Sequence, residues 1–319
     1  MSDLLAGIDI GGTKIGVCLG NTSGQVLDAR RFELERDADA GSVLDRAVAL
    51  LEEMTAAAGA GRPVALGVPC PGPIDYATRS FVDPPNMPAW HGVAVVEELE
   101  RRFEGPVAMM NDANATVLAE WQWGAAAGAG TVISLTMSTG KGAGFILGGH
   151  LFEGPLGLAG EIGHLRLHDD GPVGFGKRGS VEGYLSGPGM LQVAEAEARI
   201  CRQTGEASDL LEGELTVERL CELARRDSAA RRVTDRCADE LGRLLALLVD
   251  VLNPEIVVLG TIGTAHFDLF EPGARAVIDR ECIERAAKLV RITPSGLADR
   301  SSQSALAVAA RAVGASDVH

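Results

Sequence analysis

The sequence lacks a hydrophobic segment long enough to cross a membrane. Its longest apolar run, residues 244–252, is interrupted by Asp250 and is much shorter than the roughly 18 residues that a membrane span requires. The N-terminus also lacks a basic stretch followed by an apolar one, which is the pattern of a secretory signal. We therefore expect a soluble, cytoplasmic protein.

Positive charge and cysteine pairs are scarce as well. The chain has 29 Lys and Arg residues against 44 Asp and Glu residues, and its formal net charge is -15. Because binding to a phosphate backbone needs a surplus of cations, we do not expect a nucleic-acid partner. The six cysteines contain no CxxC pair and are scattered through apparent core segments, which predicts buried, reduced thiols rather than a disulfide framework.

What the sequence has is length and an alternation of strand and helix patterns, which indicates an α/β protein. Its 319 residues, 46% of them hydrophobic, correspond to two domains at about 150 residues each. The proline-rich segment 69–73 predicts a loop rather than a helix or a central strand. Predicted strands cover residues 4–10, 15–19, 25–34, 63–68, 106–110, 131–137, 142–147, 255–259 and 289–293. Predicted helices cover residues 42–58, 93–103, 115–123, 191–202, 216–225, 229–251 and 301–313.

Two glycine turns each join a pair of predicted strands. Residues 9–14 and 136–141 are similar enough to suggest a duplicated strand-turn-strand unit. Glycines let backbone amides approach an anion closely, and the adjacent Thr and Lys add a hydroxyl donor and a charge, so the two turns could hold one polyphosphate. Either turn alone is equally typical of an ordinary hairpin. Gly142 follows Lys141, so the second turn is not a Walker A loop.

Asp9 stands at the first of these turns. A carboxylate beside a phosphate cradle is costly unless a cation such as Mg²⁺ lies between them. Asp9 is therefore a candidate magnesium ligand, directly or through water.

Asp112 is the strongest candidate for a catalytic group. It follows a predicted buried strand and precedes a predicted helix, and ligands of open α/β sheets bind where strands end. It could serve as a general base, or it could cap the helix, since Asp and Asn are favoured at helix N-termini. The positive end of the helix dipole would stabilise its ionised form and lower its basicity.

Glu161, His164 and Glu182 lie in or beside glycine-rich sequence. Two carboxylates and an imidazole could accept hydrogen bonds from the hydroxyl groups of a substrate, or they could be a surface acid pair and a capping histidine. Metal binding is a third option, although His168 and the acidic residues after it show no regular ligand spacing. Residues 174–179 match GxGxxG, but no strand precedes them and no acidic residue lies at the ribose-binding distance, so we expect no dinucleotide site.

Together these segments resemble the ROK family of sugar kinases. The resemblance spans nearly the whole chain and rests on residues 9–14, 71–73, 85–86, 111–114, 159–164 and 257–260. It implies a two-domain, actin-like ATPase (ribonuclease H-like) fold with mixed sheets and a cleft between the domains. The small domain would comprise residues 1–112 plus about 298–319, the large domain residues 113–297, and the terminal helix would pack on the small domain.

The resemblance also assigns roles. Asp112 would be the general base that takes the proton from a sugar hydroxyl as it attacks the γ-phosphate of ATP. Predicted sugar contacts are Gly72, Asn86, Asn111, Asp112, Glu161, His164 and Glu182. Predicted contacts with ATP, the phosphates and the adenosine are Gly11, Gly12, Thr13, Lys14, Thr139, Gly140, Gly260 and Gly263. ATP and Mg²⁺ are the expected co-reactants, with Asp9 as the metal ligand, and we expect a homodimer.

The chain departs from the family pattern at two places. Val173, Phe175 and Ser180 replace the cysteines of a structural zinc site, so we expect no zinc and a loop ordered instead by the Val173 and Phe175 side chains. Residues 260–263 read Gly-Thr-Ile-Gly where a double glycine is usual, which bears on nucleotide affinity.

The expected reaction is phosphorylation of a hexose, with glucose at its 6-hydroxyl as the first choice. An N-acetylhexosamine, mannose or fructose could take its place, or polyphosphate could be the donor. A different class of function is a sugar-sensing transcriptional regulator without catalysis. The family's regulators carry a helix-turn-helix ahead of the first glycine turn, and Asp9 comes too early in this sequence to leave room for one.

Overall fold

The computed structural model describes residues 3–59, 61–82, 84 and 87–316. The strands are β1 (Leu4–Ile10), β2 (Lys14–Asn21), β3 (Val26–Glu33), β4 (Leu66–Cys70), β5 (Ile74–Asp75), β6 (Ser80–Phe81), β7 (Val107–Asn111), β8 (Val132–Met137), β9 (Lys141–Leu147), β10 (His150–Leu151), β11 (Val173–Gly174), β12 (Lys177–Arg178), β13 (Ile256–Leu259) and β14 (Arg291–Pro294).

The α-helices are α1 (Ala40–Ala58), α2 (Val95–Glu100), α3 (Asp112–Gln122), α4 (Val181–Leu185), α5 (Gly187–Thr204), α6 (Val217–Leu223), α7 (Ser228–Leu252), α8 (Ile262–Ala265), α9 (Phe267–Glu281), α10 (Glu284–Leu289) and α11 (Arg300–Ser316). Short 3-10 helices cover Pro88–Trp90, Ile162–His164 and Asp209–Leu211. Within these ranges no helix is both long and apolar enough to span a membrane.

Two five-stranded sheets share one topology. The first has the order β3-β2-β1-β4-β7 and the second the order β10-β9-β8-β13-β14. In each sheet three consecutive strands form an antiparallel meander, and two further strands add in parallel to its first strand. The strand-turn-strand duplication predicted from the two glycine turns is thereby confirmed, because β1–β2 and β8–β9 occupy equivalent places.

Helix α1 shows how the sequence encodes these elements. Its buried residues recur every three or four positions, which gives the helix one apolar face toward the first sheet: Val43, Leu44, Ala47, Val48, Leu51 and Met54. The Asp39 side chain caps its start by accepting a hydrogen bond from the Ser42 amide at 2.9 Å. Gly59, in the left-handed conformation, ends it.

Strand β4 corrects one prediction. It continues through Pro69 to Cys70 in the middle of the first sheet, where the sequence predicted a loop. Pairing of β4 with β1 ends at Gly67, whereas pairing with β7 continues to Cys70. The missing amide of Pro69 therefore costs little, because the ladder on the β1 side has already ended.

The terminal helix α11 packs on the first sheet, as predicted. The approach is close enough to require glycine in the strands beneath it: a Cβ on Gly67 would lie 2.1 Å from the Ala305 carbonyl oxygen. Helix α3 packs against α11 on one side and against β8 and β9 of the second sheet on the other. Both helices therefore lie where the two sheets meet. The boundaries of the predicted domains, at residues 112 and 298, remain a prediction.

The other predicted elements match the structure to within a few residues at their ends, but helix α9 is absent from the prediction. Pro272 and Gly273 lie inside α9 and disfavour a helix in any local reading. Tertiary contacts outweigh that preference, since α9 packs along the length of α7. All six cysteines are free thiols, five of them buried and Cys282 partly so, as predicted.

Candidate active site

A cavity of about 220 Å³ lies between the two glycine turns. Gly11 and Gly12 line it from the first turn, and Thr136 and Ser138 line it from the second hairpin. Its remaining lining residues are Asp9, Ile10, Pro69, Pro71, Asp112, Thr116, Arg300, Ser301 and Ser304. A larger, mainly apolar cavity of about 420 Å³ beside α1 contains none of the predicted site residues. The smaller, polar cavity is therefore the candidate site.

The sequence left two roles open for Asp112, a helix cap or a catalytic base, and the structure gives the capping role to its neighbour. Asn111 is the N-cap of α3, since its Oδ1 accepts a hydrogen bond from the Ala113 amide at 2.9 Å. Asp112 is the first residue of the helix, and its side chain faces the cavity. Asp112 is therefore available for chemistry while its neighbour performs the capping.

The pKa of Asp112 is raised to about 6, chiefly because the surrounding protein excludes most bulk water. The negative charges of Asp9 and Glu161 raise this pKa further, whereas the Ala113 amide and Arg300 oppose the shift. Asp112 is nevertheless exposed where it faces the cavity. The helix N-terminus lowers the pKa of Asp112 through the Ala113 amide, in the expected direction, but desolvation outweighs this contribution and the net pKa is raised.

Asp9, the next-to-last residue of β1, lines the same cavity. The Ser301 hydroxyl donates a hydrogen bond to its Oδ2. Burial raises the pKa of Asp9, while Ser301 and the positive charge of Arg300 lower it. Two carboxylates with raised pKa values facing one cavity fit a hard cation that takes oxygen ligands. In the described part of the chain no three His, Cys, Asp or Glu side chains cluster as a metal site, so Mg²⁺ here would draw most of its ligands from phosphate and water.

The first turn is closed by a hydrogen bond from the Gly11 amide to the Lys14 carbonyl, at 2.9 Å. Thr13 and Lys14 line a neighbouring cavity of about 230 Å³, which shares Asp9, Gly11 and Ser301 with the candidate site. The structure therefore places the glycines of this turn at the candidate site and its Thr and Lys side chains on the far side of Asp9.

The second turn differs from its prediction at Lys141. Thr139 is exposed, but the Lys141 side chain is only 4% exposed, and its ammonium nitrogen has no hydrogen-bond partner among the described residues. Burial lowers the pKa of Lys141 to about 7, against the opposing charge of Glu182. Lys141 therefore does not project a charge from the turn, because strand alternation places it on the buried face with Ala143 and Phe145.

Glu182, at the start of α4, connects this turn to the predicted sugar loop. The Lys141 amide hydrogen bonds to its carboxylate, and burial raises the pKa of Glu182. A Cβ on Gly163 would lie 3.2 Å from Glu182 Oε2, and one on Gly140 would lie 3.8 Å from Glu182 Oε1. Glu182 therefore lies between the second turn and the loop of His164.

The other predicted sugar ligands converge at the strand end beside Asp112. A Cβ on Gly72 would lie 3.3 Å from Asn111 Nδ2 and 3.9 Å from Glu161 Oε1. His164 Nε2 lies 4.0 Å from Glu161 Oε2. Tyr76, which the sequence did not single out, accepts a hydrogen bond from the Asn111 amide at 3.2 Å through its hydroxyl. Asn86 lies outside the described residues.

Gly260 and Gly263 follow β13, and close packing leaves no room for a side chain at either position. A Cβ on Gly260 would lie 2.9 Å from the Leu135 carbonyl oxygen, and one on Gly263 would lie 2.7 Å from Met137 Sδ. Thr261, between them, has φ 46° and ψ -105°, a conformation that favours glycine. The predicted adenosine contact of both glycines remains a prediction.

The loop that lacks the zinc cysteines is held by other contacts. The Phe175 ring stacks on His164, with centroids 3.9 Å apart and an interplanar angle of 14°. Ser180 caps α4, and the side-chain amide of Gln192 bonds to both the amide and the carbonyl of Val173. Phe175 thus orders the loop through His164, whereas Val173 contributes through its backbone.

A buried carboxylate, which the sequence analysis did not single out, anchors the same loop. Glu240, fully buried in α7, accepts a hydrogen bond from His168 Nε2 at 2.7 Å and lies 2.8 Å from the Arg236 guanidinium. His168 also contacts the edge of the Tyr184 ring at 5.6 Å. The one sequence signal for Glu240 as an anchor is the helical periodicity of α7, which places this residue on the buried face of the helix.

The ROK family profile matches residues 5–310. A glucokinase from Thermotoga maritima is 30% identical over 284 residues, which cover 86% of this chain and 87% of that protein. A putative xylose repressor from Caldicellulosiruptor is 27% identical over 311 residues, which cover 93% of this chain and 75% of that protein. The crystal structure of a ROK family glucokinase from Streptomyces griseus, in complex with glucose and AMPPNP, has a TM-score of 0.74 at 26% identity and covers 97% of this chain and 99% of that one.

These similarities cover both sheets and all the glycine turns. With the mixed sheets described above, they confirm the predicted α/β, actin-like ATPase fold. The resemblance read from the motifs is confirmed by a family match over almost the full length, and the chain belongs to the ROK family of sugar kinases.

Proposed function

We propose that this protein phosphorylates a hexose with ATP, and that its substrate is glucose, phosphorylated at the 6-hydroxyl. The observation that carries the proposal is the position of Asp112, between two glycine turns on one side and Gly72, Asn111 and Glu161 on the other. Phosphoryl transfer needs positioning and neutralisation of charge more than covalent help from the protein. This arrangement supplies a place for each reactant next to one carboxylate.

In the proposed mechanism Asp112 accepts the proton of the attacking sugar hydroxyl. With a pKa of about 6 the carboxylate is ionised at neutral pH, yet it is a stronger base than an ordinary aspartate. Asn111, Glu161, His164 and Glu182 orient the sugar by accepting and donating hydrogen bonds. Asp9 would hold Mg²⁺, directly or through water, and the bound metal would supply neutralisation of the phosphate charge.

The glycine turns would hold the ATP phosphates through Gly11, Gly12, Thr13, Lys14, Thr139 and Gly140, with the adenosine near Gly260 and Gly263. Residues 1–112 plus about 298–319 would form one domain and residues 113–297 the other. Closure of these domains on the substrates would exclude water and so limit hydrolysis of ATP. Homodimeric assembly, a cytoplasmic location and the absence of zinc and nucleic acid also belong to the proposal.

A substrate panel tests the proposal. Purified protein with Mg²⁺ and ATP is given glucose, mannose, fructose, N-acetylglucosamine or N-acetylmannosamine, and ADP is measured by a coupled assay. Polyphosphate replaces ATP in a parallel series. We expect the highest kcat/KM with glucose and ATP, and we expect Asp112→Asn to lower kcat by roughly 10²- to 10⁴-fold while sugar binding persists. Near wild-type turnover in that variant would refute the assignment of the base.

The second candidate is a sugar-sensing regulator, which the similarity to the xylose repressor favours. The same assay separates the two functions. A regulator would bind a sugar, seen by calorimetry, without forming ADP above the rate of the Asp112→Asn variant. Sugar-dependent ADP release in the wild type, lost in the variant, would exclude it.

A further inference from the structure

Arg300 brings a positive charge to the candidate site. It is the first residue of α11, and its side chain lines the cavity that contains Asp9 and Asp112. Among the described residues that line this cavity, it alone is cationic. Its charge lowers the pKa of both carboxylates, which places the guanidinium within electrostatic reach of each.

The guanidinium donates its hydrogen bond to a neutral partner. Arg300 Nη1 lies 2.6 Å from Thr261 Oγ1, in the turn that follows β13 of the second sheet. Among the residues that the structure describes, this is the one side-chain hydrogen bond of the guanidinium, and Arg carries five N–H groups in fixed directions, so further donors can bind a ligand. Arg300 therefore spans from α11 on the first sheet to the second sheet, across the cavity.

Thr261 holds an unfavourable backbone conformation at this point. Its φ of 46° and ψ of -105° suit glycine, and a β-branched residue adopts them with strain. Such strain persists where the surrounding structure enforces it, and it is concentrated at functional sites. What threonine adds over glycine here is the hydroxyl that receives Arg300.

We propose that Arg300 binds the γ-phosphate of ATP and stabilises the charge of the phosphoryl group during transfer, with Thr261 as the positioning residue that aims the guanidinium. This inference rests on the proposed kinase function. The sugar oxygen forms a bond to the γ-phosphorus, the bond from that phosphorus to the β-γ bridging oxygen breaks, ADP departs and the proton goes to Asp112. Arg300 donates hydrogen bonds to the phosphoryl oxygens throughout and is not consumed.

The charge in the cavity supports this role. The cavity holds two carboxylates, Asp9 and Asp112, and with a pKa of about 6 Asp112 is ionised at neutral pH, so the site would repel a polyphosphate without compensating cations. A Mg²⁺ ion held by Asp9 would offset part of this charge. A planar guanidinium supplies the rest and matches the geometry of phosphate oxygens.

The test compares Arg300→Gln and Arg300→Lys with Thr261→Val. Arg311→Gln is the control, because Arg311 lies on the same helix and pairs at the surface with Glu153 at 3.2 Å. Kinetics are measured with glucose, and the affinities for ADP and for a non-hydrolysable ATP analogue are measured by calorimetry. The ratio of the two affinities reports the γ-phosphate contact without relying on turnover.

We expect Arg300→Gln to lower kcat by roughly 10²-fold or more and to weaken binding of the ATP analogue at least about tenfold, with ADP affinity unchanged. Arg300→Lys should recover part of kcat because it keeps the charge without the planar fork. Thr261→Val should cost less than about tenfold, the value of one neutral hydrogen bond. Arg311→Gln should match the wild type.

Two results would overturn the inference. If Arg300→Gln binds the analogue and ADP with the wild-type ratio, Arg300 does not contact the γ-phosphate. If Thr261→Val reproduces the whole loss of kcat while the ratio of ATP-analogue to ADP affinity stays at the wild-type value, Arg300 serves only to join α11 to the β13 turn. If the wild type phosphorylates no sugar but Arg300→Gln still loses affinity for the analogue and not for ADP, the phosphate contact stands and the proposed substrate fails.

Discussion

The raised pKa of Asp112 predicts an unusual pH dependence for a carboxylate base. Burial and the charges of Asp9 and Glu161 raise this pKa to about 6 from the model-compound value of 3.8. A base must be ionised to act, so activity should fall as pH drops through 6. At pH 5 only about a tenth of the sites would be ionised, and kcat/KM should be about tenfold below its plateau, whereas an ordinary aspartate would still be almost fully active.

The assay measures initial rates of ADP formation between about pH 4.5 and about pH 8, a range that brackets the expected midpoint near pH 6. Both substrates are kept well below KM, so that the profile reports the free enzyme. Two variants provide a control on the cause. Glu161→Gln removes a charge that raises the Asp112 pKa, so the midpoint should move to lower pH. Arg300→Gln removes a charge that lowers it, so the midpoint should move to higher pH.

Stability should change with pH in the opposite sense to activity. Because the folded-state pKa of Asp112 lies above the unfolded one, the folded protein binds more protons between the two values, and this group's contribution to stability is lost as pH rises from about 4 through 6. Asp112→Asn should therefore raise the melting temperature at pH 7 although it lowers turnover. A midpoint near pH 4, or an Asp112→Asn variant less stable than the wild type at pH 7, would refute the reasoning.

Three further predictions concern the framework of the site. Gly67→Ala should lower the free energy of unfolding by about 3 kcal/mol in urea denaturation, because the new Cβ would lie 2.1 Å from the Ala305 carbonyl oxygen. The control Gly314→Ala should be neutral or stabilising, because its Cβ would have nothing within 4 Å. Lys141→Met should raise the free energy of unfolding at pH 7 by roughly 1–4 kcal/mol, because it removes a buried ammonium whose pKa is lowered to about 7. The gain should shrink as the pH rises toward 10. A loss of stability would show that the ammonium is needed. Purified protein should contain less than stoichiometric zinc by elemental analysis, and it should keep its activity after treatment with EDTA and transfer to a buffer that contains Mg²⁺ but no zinc. A bound, chelatable zinc would contradict the interpretation of the Phe175 loop.

The recognisable motifs are those whose residue types are fixed by local chemistry. The glycine turns, the Asn111-Asp112 strand end and the loop at 159–164 could all be read from sequence because each performs its role through its own backbone or its own side chain. The amphipathic helices could be read for a similar reason. Helix α1, for example, buries residues at the spacing that a single face requires.

The failures of prediction occur where distant residues decide the outcome. Pro69 is tolerated in β4 only because the neighbouring strand stops pairing before it. The sequence around Lys141 suggests an exposed cation in a turn, but β9 places the side chain on its buried face. Glu240 looks like one more surface charge on a long helix, yet it is fully buried against His168. Each of these properties depends on contacts with residues that are distant in the chain.

The sequence by itself determined the family, the two repeated units and the identity of the candidate base, because these follow from short motifs and from hydrophobic periodicity. Only the tertiary structure decided which carboxylates share a cavity, that Asn111 rather than Asp112 caps α3, and that Arg300 reaches Thr261 from 39 residues away in the chain. The physical reason is that a pKa, a buried charge and a phosphate-binding geometry depend on the distance between groups in space, which the order of residues along the chain does not specify.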